Sequence, residues 1–429
     1  MRAEQPGHCS PCTGDSSSVA GPPSHRPTSG SRIRRILMVA PTPFFSDRGC
    51  HVRIYEEARA LQALGDRDGG GPGCTVEVCT YHLGDDRPGL TTHRTPRLPW
   101  YNKLSAGPSW HKIYIDVLLF FKTWAVARRF RPDVIHGHLH EGAAVGWLVG
   151  KLLRLPVVGD FQGSLSGELK AHEFIPARGW FYHFWARNEA WIDRLPQVAV
   201  ASSSDVADEL QGRFGVRDVL LALDGVDTTA FHPDAEVGDL RHLVPPGRRA
   251  VVYLGLLNAY QGIDHLLQAV PTVLDRVPEA YFLVMGYPNE DLYRQKARDL
   301  GVAEHVSFPG RVDYDQAARY LVLGEVAVGP KLSETESNGK LYNYMACALP
   351  TIAYDTPVSR EILGDLGVYA PRGDVAALAD AIASLLESPE ASRELGQRLR
   401  RRVVAHFSWE STARQLLQAY DLAIARKQG

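Results

Sequence analysis

Short apolar runs, each closed by a polar turn and followed by a helical stretch, come in two series along this chain, and that alternation limits the fold more than any other feature. Ile36-Leu37-Met38-Val39-Ala40 is apolar at every position and stops at Pro41, the pattern of a strand buried on both faces. A glycine-containing loop over 44–49 and a helical stretch over 50–64 follow it. Strand-like runs recur at 75–81, 133–136, 156–161 and 198–202, with helical stretches at 113–130 and 142–153 among them. The periodicity weakens across 224–249, which carries Gly, Pro, Asp and Arg. It then resumes with strands at 250–254, 280–285, 305–308, 326–328 and 351–354, and helices at 263–274, 291–300, 315–323, 340–347 and 375–386. Residues 390–428 read as helix with a break around His406 to Trp409. Strands that alternate with helices lie in parallel sheets.

The expected fold class is therefore α/β, with two Rossmann-like domains whose parallel sheets face each other across a cleft. The boundaries read as an N-terminal Rossmann-like domain over 33–223, a linker over 224–249, a C-terminal Rossmann-like domain over 250–405, and a C-terminal helix over 406–429 that crosses back to the first domain. Residues 1–32 are rich in Ser, Pro and Gly. They hold too few large apolar side chains to offset the entropy of ordering, and the expectation is a disordered tail.

Charge and cysteine usage narrow the function classes. Forty-seven Lys and Arg stand against 49 Asp and Glu, without the basic excess of a dedicated nucleic-acid binder. Cys9 and Cys12 form a CxxC with no second pair at zinc-site spacing, and Cys50, Cys74, Cys79 and Cys347 are scattered. This is the usage of reduced cysteines in a cytoplasmic protein. The longest apolar stretch, Ile113 to Ala127, is broken by Asp116 and Lys122, so no membrane span is expected. The polar N-terminus carries no secretory signal pattern.

In open α/β sheets, ligands bind beyond the carboxyl ends of strands. The richest such loop follows Val328 and runs Gly329-Pro330-Lys331-Leu332-Ser333-Glu334-Thr335-Glu336-Ser337-Asn338-Gly339-Lys340, continuing into a helix from Leu341 through Asn343. Gly339 lets a ligand approach the backbone. Lys331, Lys340 and the amides at the helix start make an anion site. Glu334 and Glu336 can accept hydrogen bonds from vicinal hydroxyls. Phosphate donors beside hydroxyl acceptors suit a sugar nucleotide, and a solvated capped loop is the plain alternative.

Several motifs in order resemble family 4 glycosyltransferases, which have the two-Rossmann GT-B fold. Met345-Ala346-Cys347-Ala348-Leu349-Pro350 is similar to the second half of that family's Glu-x7-Glu signature helix. Gly49 resembles the first-loop glycine. Gly225-Val226-Asp227 with Phe231 and Pro233 resembles the opening of the second domain. Tyr253-Leu254-Gly255, then Gln261-Gly262-Ile263-Asp264, and Phe308-x-Gly310-x-Val312 resemble the donor-domain loops. The resemblance runs over about residues 34–428. It implies a retaining hexosyltransferase that takes a nucleotide-sugar donor, with Gly255, Gln261, Gly310, Val312, Asn338, Leu341 and Asn343 joining the loop residues in donor binding.

The chain departs from the pattern at the chemistry. The second signature Glu falls on Asn343, the first on Thr335, the diphosphate-binding basic pair on Leu256 and Gln261, and the catalytic-loop His on Gln162. A leaving diphosphate needs positive charge to develop against, and Lys331 and Lys340 are the replacements within reach. Asp160, Gln162 and His138 are the candidate catalytic groups. Arg48, Gly49 and His51, after the first strand, are candidates for the acceptor, which is a glycan, a lipid-linked molecule or a small metabolite. His136, His138, His140 and Glu141 alternate in a way that suits metal ligands, yet the expectation is no metal site and no cofactor. The aromatic stretch Gly179 to Arg187, with Arg178 and Arg194, suits either a packed helix or peripheral contact with the inner face of a membrane. A catalytically silent sugar-nucleotide binder, or an epimerase or phosphorylase on the same fold, is the competing reading.

Overall fold

The computed structural model describes residues 34–46, 49–67, 73–101, 111–164, 180–333 and 337–428. The stretch 1–32 expected to be a tail lies outside them. Strands β1 (Arg34–Ala40), β2 (Cys74–Thr80), β3 (Thr91–Arg94), β4 (Val134–His138), β5 (Val157–Phe161), β6 (Val198–Ala201) and β7 (Val219–Leu221) form one parallel sheet in the order β3-β2-β1-β4-β5-β6-β7. Strands β8 (Arg249–Leu254), β9 (Ala280–Met285), β10 (Val306–Gly310), β11 (Val326–Gly329), β12 (Thr351–Tyr354) and β13 (Val368–Ala370) form a second parallel sheet, β10-β9-β8-β11-β12-β13. The strands read from continuous apolar runs are buried along their length, β4, β5, β11 and β12 at every residue. Helices cover both faces of such sheets, which is why the runs do not alternate.

Strands β3, β7 and β13 are absent from the sequence reading. Each is an edge strand of three or four residues with no fully buried run. An edge strand needs pairing on one side only, so its sequence carries little signal.

The main helices are α1 (Gly49–Arg67), α2 (His111–Phe130), α3 (Leu139–Leu153), α4 (Trp180–Asp193), α5 (Ile263–Arg276), α6 (Lys340–Ala346), α7 (Pro389–His406) and α8 (Trp409–Gln428). Helix α7 packs Leu399 and Val403 into the second core with Tyr342 and Met345. The chain then crosses to the first sheet, where Ala413, Leu416, Ala419, Tyr420 and Ala423 of α8 join Ile36, Met38, Val158 and Val200 in one core.

The two passages between the lobes run side by side. The Val226 N–H donates to the Phe407 carbonyl at 3.1 Å, and the Thr412 hydroxyl donates to the Leu223 carbonyl at 2.7 Å. A Cβ on Gly225 would stand 2.5 Å from the Trp409 nitrogen. Only glycine allows the two strands of this hinge to lie so close. In both sheets the strand order reverses beside the first strand of the lobe, β1 against β4 and β8 against β11. Such reversals leave a crevice at the carboxyl ends.

Candidate active site

The carboxyl ends of β1, β4, β5, β8, β9 and β11 open on a cavity of about 380 Å³ between the lobes, the scale of a small-ligand pocket. From the second lobe it is lined by Gly255, Leu256, Gln261, Lys331, Lys340 and Asn343, among others.

Lys340 opens α6, and its side chain turns into the cavity. Its Nζ lies 2.6 Å from Gln261 Oε1, 3.2 Å from the Tyr253 hydroxyl and 4.6 Å from the Tyr253 ring centroid. The Tyr253 hydroxyl donates to the Leu256 carbonyl at 2.8 Å and so offers Lys340 a lone pair. Burial holds this phenol well above its ordinary pKa, which keeps it neutral. The Gln261 amide, the Tyr253 hydroxyl and the face of the Tyr253 ring thus position the Lys340 ammonium at the cavity wall. Lys331 is buried, and its Nζ donates to the Ser337 carbonyl at 2.8 Å. Asn338 is buried at the cavity wall, with no hydrogen-bond partner for its Oδ1 among the described residues. Helix α6 has seven residues, too few for a strong dipole, so the lysines carry most of the positive field.

The loop bearing Lys331 rests on Gly262, at φ +78°, where a Cβ would come 1.9 Å from the Pro330 carbonyl oxygen. Gly286 is equally constrained, since its Cβ would stand 1.8 Å from the Gly255 oxygen. The two glycines let neighbouring loops close up beneath the site.

The first lobe contributes a buried charge network centred on a residue the sequence reading did not single out. Arg53, on α1, donates from Nε and Nη2 to both oxygens of Asp160 at 3.0 and 2.8 Å, and from Nη1 to Asp224 at 2.7 Å. Glu57, one turn on, has Oε1 3.0 Å from Arg53 Nε. His138 Nδ1 lies 3.0 Å from Asp160 Oδ2, and Gln162 donates to the same oxygen at 2.8 Å. The register of β4 on β5 sets His138 directly against Asp160. Burial works against the Asp160 carboxylate, but the Arg53 guanidinium and His138 outweigh it and hold its pKa well below the usual range. Glu57 is pushed up by burial, and burial lowers both His136 and His138. The network thus sets the Arg53 guanidinium against Asp160 at its centre, with burial shifting Glu57, His136 and His138 toward their neutral forms. Asp224 sits at the hinge and accepts from the Ser337 hydroxyl of the second lobe at 2.5 Å. Tyr287 also bridges the cleft, donating to the Ser46 carbonyl at 2.5 Å.

This geometry moves several expected residues. Asp160 and His138 have no exposed surface and neither lines the cavity. The guanidinium takes up both Asp160 oxygens, and His138 and Gln162 share Oδ2 with it. Gln162 does face the cavity. Leu341 is fully buried in the second core, because α6 turns that face inward. Gly310 also lies off the cavity, its carbonyl accepting from the Gly286 N–H at 2.9 Å, while Val312 lines it. Gln261, Asn338, Gly339, Gly49 and His51 line it too. His51 is buried, with Nδ1 accepting from the Ser46 N–H at 3.0 Å. Arg48, Glu334 and Glu336 lie outside the described residues. His136, His138, His140 and Glu141 do not converge. The first two stack at 4.2 Å between centroids, His140 turns to α4, and Glu141 pairs with Lys112. Glu57, His136, His138 and Asp160 bring donor atoms within 4.8 Å of one another, but Arg53 already supplies the positive charge there. The spacing of Arg53 and Glu57, one helical turn apart on α1, was the available signal for this network.

Two facing parallel-sheet lobes with a cationic cleft define a GT-B glycosyltransferase. Residues 48–230 match the family described as Glycosyltransferase Family 4, and residues 248–388 match Glycosyl transferases group 1. The chain belongs to family 4 of the retaining glycosyltransferases. It is 26% identical over 395 residues to the phosphatidyl-myo-inositol mannosyltransferase of Mycolicibacterium smegmatis, covering 90% of this chain and 93% of that one. The fold matches that of sucrose-phosphate synthase from Thermosynechococcus elongatus with a TM-score of 0.75 at 20% identity, over 92% of this chain and 100% of that one. It also matches Anabaena HepE in complex with UDP-glucose, with a TM-score of 0.68 at 15% identity, over 90% and 98% of the two chains.

Proposed function

We propose that this glycosyltransferase moves a hexose from a nucleoside-diphosphate sugar to a hydroxyl of a lipid-anchored acceptor, working from the cytoplasmic face of a membrane. The observation that carries the donor half is the Lys340 ammonium, aimed into the inter-lobe cavity beside the buried Lys331. The family pattern's basic pair falls on Leu256 and Gln261, and Lys340 Nζ lies 2.6 Å from Gln261 Oε1. The two lysines neutralise the diphosphate as it leaves, and lysine charge serves there in place of a bound metal. Gln162, oriented by Asp160, reaches the sugar or the incoming hydroxyl. Gly49 and His51 flank the acceptor side, and closure about the Gly225 hinge excludes water.

The acceptor half is supported by the surface of the first lobe. Ile113, Val117 and Phe121, one helical turn apart on α2, are 61%, 51% and 56% exposed. Leu148 and Leu152 on α3, which packs on α2, and Phe184 and Trp191 on α4, which packs on α3, are exposed too. Arg128, Arg129, Lys151, Arg154 and Arg187, on or at the ends of the same helices, are exposed. Exposed apolar and basic side chains on the same helices suit an anionic bilayer surface. The side chains of Trp180 to His183, and of Trp185, lie outside the described residues. No helix among the described residues is long and apolar enough to cross a membrane. The mannosyltransferase relative is named for a phosphatidylinositol acceptor, which supports the same reading.

The test is a thermal-shift screen of the whole chain with UDP, GDP and ADP, followed by transfer assays with sugars of the nucleotide that binds. Lys340→Met is expected to lower turnover by about 10²–10³-fold. No shift with any nucleoside diphosphate, or full turnover in the variant, overturns the proposal.

A further inference from the structure

A second cluster of buried ligand-type side chains lies away from the cleft network. His140, in the first turn of α3, directs Nε2 at two carboxylates on α4. Asp193 Oδ1 is 3.4 Å away and Glu189 Oε1 is 3.7 Å away. His140 is 7% exposed, Glu189 0% and Asp193 1%. Ser164, in the segment after β5, donates its hydroxyl to Glu189 at 2.9 Å.

Two observations separate this cluster from an ordinary buried ion pair. Neither Asp193 oxygen has a hydrogen-bond partner among the described residues, although the side chain is almost fully buried. A dry, unpartnered carboxylate is costly, and here a second carboxylate lies alongside. The other observation is spacing. Ligand atoms 2.0–2.2 Å from a tetrahedral ion are about 3.3–3.6 Å from each other; the imidazole nitrogen sits inside that range from Asp193, at 3.4 Å, and just beyond it from Glu189, at 3.7 Å. The network around Arg53 has a guanidinium among its carboxylates, whereas no Lys or Arg pairs with Asp193 among the described residues.

We infer that His140, Glu189 and Asp193 bind a divalent transition ion, with Zn²⁺ or Mn²⁺ the class that suits one imidazole and two carboxylates. Ser164 Oγ or water completes the shell. The site ties the start of α3, the end of α4 and the segment after β5 together. That segment also carries Gln162, so the ion braces the acceptor side of the cleft from behind. The role is structural and does not depend on the donor assignment.

The experiment uses the full chain in a Cys9→Ser/Cys12→Ser background, which removes the sulfur pair as a competing ligand. The protein is stripped with chelator, titrated with Zn²⁺ and with Mn²⁺, and followed by metal analysis after desalting and by thermal melting. About one equivalent of one of these ions is expected, with a rise in melting temperature. Asp193→Asn, which keeps size and shape, is expected to weaken binding at least about 100-fold, while Lys340→Met leaves it unchanged. Co²⁺ substitution gives a readout on the unmutated site, through the visible absorption of a tetrahedral nitrogen and oxygen shell. No retained metal and no cobalt spectrum, or equal retention by Asp193→Asn, overturns the inference. The cluster is then a neutral Asp193 shielded by burial alone.

Discussion

Replacing Arg53 by methionine tests the electrostatic account of the first lobe most directly. Methionine fills much of the same volume and removes the charge. The change deletes two hydrogen bonds to Asp160 and one to Asp224, and it leaves the fully buried Asp160 carboxylate with only His138 and Gln162. Removing one partner of a buried pair costs about 3–5 kcal/mol, and the two carboxylates involved place Arg53→Met at the upper end of that range at pH 7. The pH dependence follows from the sign of the shift. In the wild type Asp160 has a folded pKa below its unfolded value, so it adds stability that is present above about pH 4 and is lost as the pH falls below that. Without Arg53, burial raises that pKa instead, and the variant's deficit shrinks between pH 7 and pH 5 as Asp160 takes up a proton. Arg53→Met/Asp160→Leu, with both charges gone, is expected to recover at least half of the loss. Urea unfolding of the wild type, both single variants and the double variant at pH 5 and 7 gives the coupling free energy. A cost below about 1 kcal/mol for Arg53→Met, or simple additivity in the cycle, would refute the reasoning.

Two further outcomes follow from other parts of the molecule. Asp116 accepts a hydrogen bond from the Tyr81 hydroxyl at 2.6 Å, and burial with the nearby Glu141 charge raises its pKa to about 7. An acid whose folded pKa lies above its unfolded value favours folding when protonated, so stability falls as the pH rises from about 4 to about 7, by a few kcal/mol at most. Asp116→Asn should flatten that slope in urea melts at pH 5 and 8; an unchanged gap between variant and wild type at the two pH values would refute it. Separately, the chain should sediment with vesicles containing anionic lipid, and Ile113→Ser/Val117→Ser/Phe121→Ser should lower partitioning at least about tenfold, since each large apolar side chain withdrawn from water contributes about 1.5–3 kcal/mol. Equal sedimentation of the triple variant, with transfer unaffected, removes the membrane from the acceptor reading.

The buried network also reaches the passage between the lobes. Asp224 is held by Arg53 from the first lobe and by Ser337 from the loop that carries Lys331 and Lys340. The residues between Asp224 and Val226 form one of the two passages between lobes. One carboxylate thereby joins the first lobe, the passage between the lobes and the residues that lead into α6.

The sequence by itself determined the two series of strands and helices, the parallel sheets and the loop with Lys331 and Lys340. Each of these rests on local chemistry: continuous apolar runs have no stable place except inside a covered sheet, and a polar lysine-bearing loop after such a strand opens at its carboxyl end. It did not determine which face of β4 and β5 meets the cleft. Alternation along a strand separates two faces without saying which of them is buried, so His138 and Asp160 read as site residues until the pairing of strands turned them inward. Nor could it join Arg53 to Asp160 and Asp224, or His140 to Glu189 and Asp193. Those groups are far apart along the chain, and only the packing of helices against the sheet brings them within bonding distance. Solvent was then excluded around them, and their charges acquired the consequences that sequence order cannot express.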